Sequence, residues 1–141
     1  MPSMPPDVVV VDAGPLLALF DIRDEHHRDA LNYLHGNQAR MITTLAVVTE
    51  AMHLFGPSPI PKRNLLAWIN SGAIILVAPN KADFERVMEL LDKYADLPMD
   101  FANGLTVAIC ERLDIPHIAT FDSDFTVYRF KERRRFVNVM K

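Results

Sequence analysis

The chain alternates short apolar runs with amphipathic stretches. Val8-Val9-Val10-Val11 sets four β-branched residues in a row, apolar toward both faces. Such a run suits a strand in the middle of a sheet covered by helices on either side. Asp12 ends it, followed by Ala13-Gly14-Pro15. Gly14 suits a tight turn, and Pro15 the first position of a short buried helix carrying Leu16, Leu17, Leu19 and Phe20. Asp12 is thus expected at the carboxyl end of a central parallel strand, where open α/β sheets bind ligands.

The same punctuation continues. Residues 25–35 read as a helix with Ala30, Leu31 and Leu34 inward, closed by Gly36 and Asn37. Residues 40–43 form a second strand, and Thr44 is suited to cap a helix over 45–55 that Gly56 and Pro57 stop. Pro57, Pro59 and Pro61 read as a stiff connector before a helix over 62–71, with Leu65, Leu66 and Ile69 inward. A third strand is expected at 73–78, then an amphipathic helix over 81–94 with a stripe of Phe84, Val87, Leu90 and Leu91. Asp100 opens a helix through Leu113, packed on Ala102, Leu105, Thr106, Ile109 and Leu113. Strands at 117–120 and 136–140 close the chain, the last at a sheet edge, and residues 1–6 read as a frayed terminus. The alternation predicts a three-layer α/β/α sandwich on a central, mostly parallel sheet, as a single domain over 1–141.

Composition narrows the function. Half of the 141 residues are apolar, which argues against disorder and for one good core. A formal net charge of -3 gives no global attraction to nucleic acid, so any such partner must meet a local basic patch. The single cysteine, Cys110, excludes an internal disulfide and a thiolate zinc site, and fits a reducing cytoplasm. Met1 to Pro6 holds three prolines and no basic residue, so no signal peptide is expected. No apolar run reaches the roughly 20 residues of a membrane helix.

Four acids stand where a plain surface role is not the obvious reading. Asp12 and Asp122 each follow an apolar strand, and parallel strands would put them on one sheet edge. Glu50 lies beside the apolar residues Val47, Ala51 and Leu54, with Val47 and Leu54 one helical turn away on either side, so it is costly unless paired or metal-bound. The alternative is a rim position facing His53. Asp100 also reads as an ordinary helix cap, and Asp12 as a loop acid capping the next helix. Asp124 either joins the group or is a solvated loop acid. Clustered carboxylates repel, so some must protonate or a divalent cation must bind, and oxygen-only ligands point to Mg²⁺ or Mn²⁺. Such sites suit phosphoryl chemistry. The histidines compete poorly: His26, His27 and His35 read as solvated, and His53 and His117 lack a second ligand.

The order of motifs resembles the PIN-domain ribonucleases, in particular VapC-type toxins of toxin–antitoxin pairs. The likeness rests on V-V-V-D-A-G-P-L-L-A-L-F (9–20), T-L-A-V-V-T-E-A (44–51), L-P-M-D-F-A-N-G-L-T-V-A-I-C-E-R-L (97–113) and I-P-H-I-A-T-F-D-S-D-F (115–125). It implies a five-stranded sheet, Mg²⁺- or Mn²⁺-dependent cleavage of RNA phosphodiesters, homodimerisation and inhibition by a small antitoxin. Carried over, the family acids fall on Asp12, Glu50 and Asp122, with Asp100 matching a recurrent aspartate. Asn103 stands where the family usually has a further aspartate; it offers a neutral oxygen and removes one charge.

Arg129, Lys131, Arg133, Arg134 and Arg135 form a basic run. It reads either as a solvated face or as an RNA contact through Arg129, Arg133 and Arg134, since guanidinium forks match phosphates. Two other functions remain open. Asp122-x-Asp124-x-Thr126 fits a phosphatase nucleophile motif, although it falls late in a short chain. A PIN-like module that binds RNA or protein, with catalysis weakened through Asn103, is the third.

Overall fold

The computed structural model describes residues 6–140; residues 1–5 lie outside it, and with them most of the expected frayed terminus. The elements run β1 (Val8–Val11), α1 (Ala13–Phe20), α2 (His27–Gly36), β2 (Arg40–Thr43), α3 (Leu45–Leu54), α4 (Pro59–Asn70), β3 (Ile75–Leu76), α5 (Lys81–Lys93), α6 (Phe101–Arg112), β4 (His117–Ala119), β5 (Arg129–Phe130), β6 (Arg134–Arg135) and β7 (Val137–Asn138). Five strands form one sheet in the order β3-β2-β1-β4-β7, every pairing parallel. Helices cover both faces, as expected of the α/β/α sandwich.

The valine run explains the layering. Val9 and Val11 face one way, into a cluster with Leu16 of α1, Val47, Val48 and Ala51 of α3 and Leu65 of α4. Val10 faces the other way, packing with Ile42, Ile118, Leu90 of α5 and Val107 and Cys110 of α6. Because β1 is apolar on both sides, only the central position of a doubly covered sheet buries all of it. The chain leaves β1 toward β2 on one side and returns to β4 on the other, so the strand order reverses between β1 and β4. That reversal opens a crevice at the strands' carboxyl ends.

Several boundaries differ from expectation. α1 begins at Ala13 with Asp12 as its cap, so Gly14 makes no turn and Pro15 sits inside the first turn. Pro15 is tolerated there because first-turn N–H groups have no intrahelical partner. Likewise α4 begins at Pro59, absorbing Pro59 and Pro61 from the expected connector. β3 shrinks to two exposed residues, as befits an edge. Leu66, Phe84, Leu91 and Leu113 are exposed rather than inward. The hairpin of β5 and β6, joined antiparallel, was not expected, because its strands are only two residues each.

α6 is the central helix, with every residue from Ala102 to Cys110 buried. Gly104 allows α5 to approach it: a Cβ there would lie 3.0 Å from Val87 Cγ1 and 3.2 Å from Met99 Sδ. Charge then locks the pair. Asp83 forms a capping box with Asn80, is only 2% exposed and receives Arg112 Nε at 3.0 Å. Arg86 donates to Glu111 at 2.7 Å, to Glu89 at 3.0 Å and to Glu132 at 3.2 Å. Glu111 also accepts from the Lys131 backbone N–H at 2.7 Å, which fastens the hairpin to α6. The surrounding carboxylates keep the Arg86 guanidinium charged and raise its pKa further.

Candidate active site

Four predicted acids gather around the β1/β4 crevice. Asp12 follows β1, and its backbone N–H donates to the Ala119 carbonyl at 2.9 Å, extending the β1–β4 ladder by one rung. The side chain is only 4% exposed. Thr120 Oγ1 donates to Asp12 Oδ2 at 2.7 Å and accepts the Asp122 N–H at 2.9 Å. One hydroxyl thus joins the two strand-end aspartates. Thr120 is itself held by Asn138 of β7, which donates through Nδ2 to the Thr120 carbonyl at 3.0 Å and accepts the Thr120 N–H at 3.3 Å.

Asp100 caps α6 and accepts the Asn103 N–H at 2.8 Å, as an ordinary cap would. Asn103 is buried and donates through Nδ2 to Asp122 Oδ2 at 3.1 Å. The other oxygen of Asp122 accepts the Asp124 N–H at 2.9 Å. Glu50 reaches in from α3, and its Oε2 is buried without a hydrogen-bond partner. His53 lies with Glu50, Asp100, Phe84 and Phe101 along a groove of about 790 Å³.

The acids also influence one another's charge. Burial first, then the Asp122 and Asp100 charges, push Asp12 above its ordinary carboxylate range, against the Thr120 hydrogen bond. Burial likewise raises Glu50, helped by Asp100, Asp12 and Asp122. Among the described residues, no three His, Cys, Asp or Glu side chains are drawn close enough to hold a metal ion as they stand. Asp100 and Asp122 are tied to N–H donors. The donor chemistry still suits a hard cation: the groups offer oxygens, and a buried Glu50 oxygen lacks any partner.

Asp124 contributes its backbone, and Thr126 Oγ1 donates to the Ser123 carbonyl at 2.6 Å, so the D-x-D-x-T motif is a 3₁₀ turn rather than a phosphatase nucleophile loop. Two of the histidines expected to be solvated also make contacts within the fold. His27 Nδ1 bonds the Ala18 carbonyl at 2.6 Å, and the His26 ring stacks on Phe121 at 4.1 Å. Their partners are distant in sequence, so no local pattern marks them.

Sequence reasoning missed Thr120, Asn138 and Tyr128. The signal for Thr120 was a hydroxyl between an apolar strand and Asp122. Tyr128 has a fully buried ring, and burial first, then the Asp124, Asp122 and Asp100 charges, push its hydroxyl pKa up to about 12, against a lowering contact with Asn103. The basic run divides. Arg129 Nη1 donates to the Thr126 and Val127 carbonyls at 2.9 and 2.8 Å, so it braces the hairpin approach. Arg133, Arg134 and Arg135 are exposed, with Arg134 over the Phe130 ring and Arg135 lining a hollow with Asp122.

This fold and crevice define a class, and the sequence agrees with it. The chain matches the PIN domain over residues 9–131 and belongs to that family. It is similar to the crystal structure of Mycobacterium tuberculosis VapC20, a sarcin-ricin loop cleaving toxin, at a TM-score of 0.79 and 20% identity, covering 89% of this chain and 98% of that one. At that identity the likeness speaks for the fold. No curated protein matches the chain in sequence.

Proposed function

We propose that this protein is a metal-dependent ribonuclease of the toxin type, acting as one domain in the cytoplasm. The observation that carries the reading is the orphaned Glu50 oxygen facing a crevice shared with Asp12, Asp100 and Asp122. Burying one carboxylate oxygen without a partner is costly, and a cation that binds it removes that cost. Asp12, Glu50, Asp100 and Asp122 would hold Mg²⁺ or Mn²⁺, with the Asn103 carbonyl oxygen available as a neutral ligand. When bound, the cation supplies Lewis acidity toward a phosphodiester and lowers the pKa of attacking water.

The chain's own residues do the rest. Thr120 orients Asp12 and fixes its distance from Asp122. Asn103 holds Asp122 in place and removes one repulsion from the group. Arg133, Arg134 and Arg135 supply the positive potential that an acidic site needs to retain RNA. Arg129 contributes indirectly, by holding the hairpin that presents them.

The partner side follows from the groove. Leu45, Phe84 and Phe101 are exposed along it, while Glu50 and Asp100 supply negative charge. An antitoxin segment with apolar side chains and one basic side chain would fit it. Homodimerisation is carried by the family resemblance.

The test is incubation with a panel of structured RNAs, a sarcin–ricin loop oligonucleotide among them, in Mn²⁺, Mg²⁺ or EDTA beside Asp12→Asn. Cleavage in either metal, absent in EDTA and in the variant, is expected. Cleavage that survives both would overturn the metal reading. A protein that binds RNA or a partner without cutting in any metal would favour the binding module.

A further inference from the structure

A separate hollow borders Thr120, Phe121 and Asp122. It measures about 220 Å³ and is lined by His26, Phe121, Asp122, Ser123, Asn138 and Met140. That is below the size of a typical ligand pocket, and suits a single planar ring. Its wall is an aromatic pair: the His26 and Phe121 rings lie 4.1 Å apart and within 14° of parallel.

The pair is fixed to the carboxylates rather than near them by accident. Phe121 stands between Thr120, which bonds Asp12, and Asp122. It lies over the start of α1, where a Cβ at Gly14 would be 3.4 Å from Phe121 Cδ2. His26 is set by its backbone N–H, which donates to Asp24 Oδ1 at 2.9 Å. The ring edges face acids, with Nε2 3.4 Å from Glu25 and Nδ1 3.9 Å from Asp29. The His26 ring stacks on Phe121, and 39% of its side chain stays exposed.

We infer that His26 and Phe121 form a base-stacking subsite, which holds an unpaired nucleobase of the RNA beside the scissile phosphate. Every base has a π-face, so an aromatic shelf next to a phosphodiester-cleaving group would fix the strand's register on the carboxylates. The Ser123 hydroxyl and the Asp122 carboxylate border the same hollow, giving the base edge polar neighbours. The inference rests on the ribonuclease reading of the same crevice.

The experiment uses a single-stranded dodecamer taken from whichever RNA in the panel is cleaved, with 2-aminopurine stepped through its positions. It is titrated in Mg²⁺ with Asp12→Asn, which blocks cleavage and removes one repelling charge. Stacking quenches 2-aminopurine, and quenching confined to one position next to the cut is expected. Adding His26→Ala should abolish that quenching and weaken binding about tenfold. His26→Tyr should retain both, with melting temperatures matched among the three proteins. Quenching spread evenly, or unchanged in His26→Ala, overturns the subsite and leaves the nuclease intact. A panel with no cleaved RNA overturns both.

Discussion

Asn103 Nδ2 donates to Asp122 Oδ2 across 3.1 Å. An aspartate at that position, which the family resemblance implies as the usual residue, would place a carboxylate against a carboxylate. Here an amide places a donor there instead, so Asp122 is held with one charge fewer in the crevice. Asn103→Asp should replace this attraction with repulsion and lower cation-free stability by about 1–3 kcal/mol. It should also tighten Mn²⁺ binding. Thermal melts with and without Mn²⁺, beside cleavage rate against Mn²⁺ concentration, check both effects. Unchanged metal dependence would put residue 103 outside the cation's reach.

Asp12 and Glu50 titrate above the ordinary values of 3.8 and 4.5, each raised chiefly by burial and further by acidic neighbours. The native state therefore holds these protons to higher pH than the unfolded chain does. Cation-free stability should fall as pH rises from the ordinary carboxylate values through the raised ones, and level off above them. Asp12→Asn should flatten this slope and raise the metal-free melting temperature at neutral pH. Millimolar Mn²⁺ should stabilise the parent, by about 2.7 kcal/mol at a hundredfold excess over its dissociation constant, but not the variant. A parent indifferent to Mn²⁺ would argue against a shared cation.

Thr120→Val keeps the shape of the side chain but removes the hydroxyl that joins Asp12 to Asp122. Each lost hydrogen bond to a charged or buried group costs about 1–2 kcal/mol. Cleavage should fall by about ten- to a hundredfold, since misplacing a reacting group by 1 Å can cost about that much. Thr120→Ser should restore most of it. Equal activity in all three proteins would show that Thr120 does not position the aspartates.

Asp83→Ala leaves the Arg112 guanidinium without its partner and removes half of the α5 capping box. A loss of about 3 kcal/mol is expected on chemical denaturation. RNA cleavage well below the melting temperature should be unaffected, because the pair lies on the α5–α6 side. A selective loss of cleavage at full stability would instead give α5 a part in the site.

How much of this was written in the sequence depends on the range of each interaction. The valine run required a central, doubly covered strand, because no other position buries both of its faces. Asp12, Asp100 and Asp122 were legible as element-end acids, and Glu50 as an acid beside the apolar stripe of Val47 and Ala51. Those are signals of local periodicity and punctuation, which act within a turn or a strand. The short elements were not legible: β5 and β6 are two residues each, too brief for a periodic pattern, and the hairpin is anchored by Phe130 and Phe136 in the core and by Glu111 of α6.

The links inside the site belong to tertiary structure alone. Thr120 and Asp12 are 108 residues apart, and Asn103 and Asp122 are 19 apart. Nothing local marks a threonine that will bridge two aspartates, or a histidine that will stack on Phe121. Arg129 looks like its neighbours in sequence, yet the turn at Thr126 to Tyr128 draws it onto backbone carbonyls. Helices and strands are chosen by interactions along the chain. Which oxygen meets which donor was decided only when the sheet reversed its order between β1 and β4 and brought those distant segments to one edge.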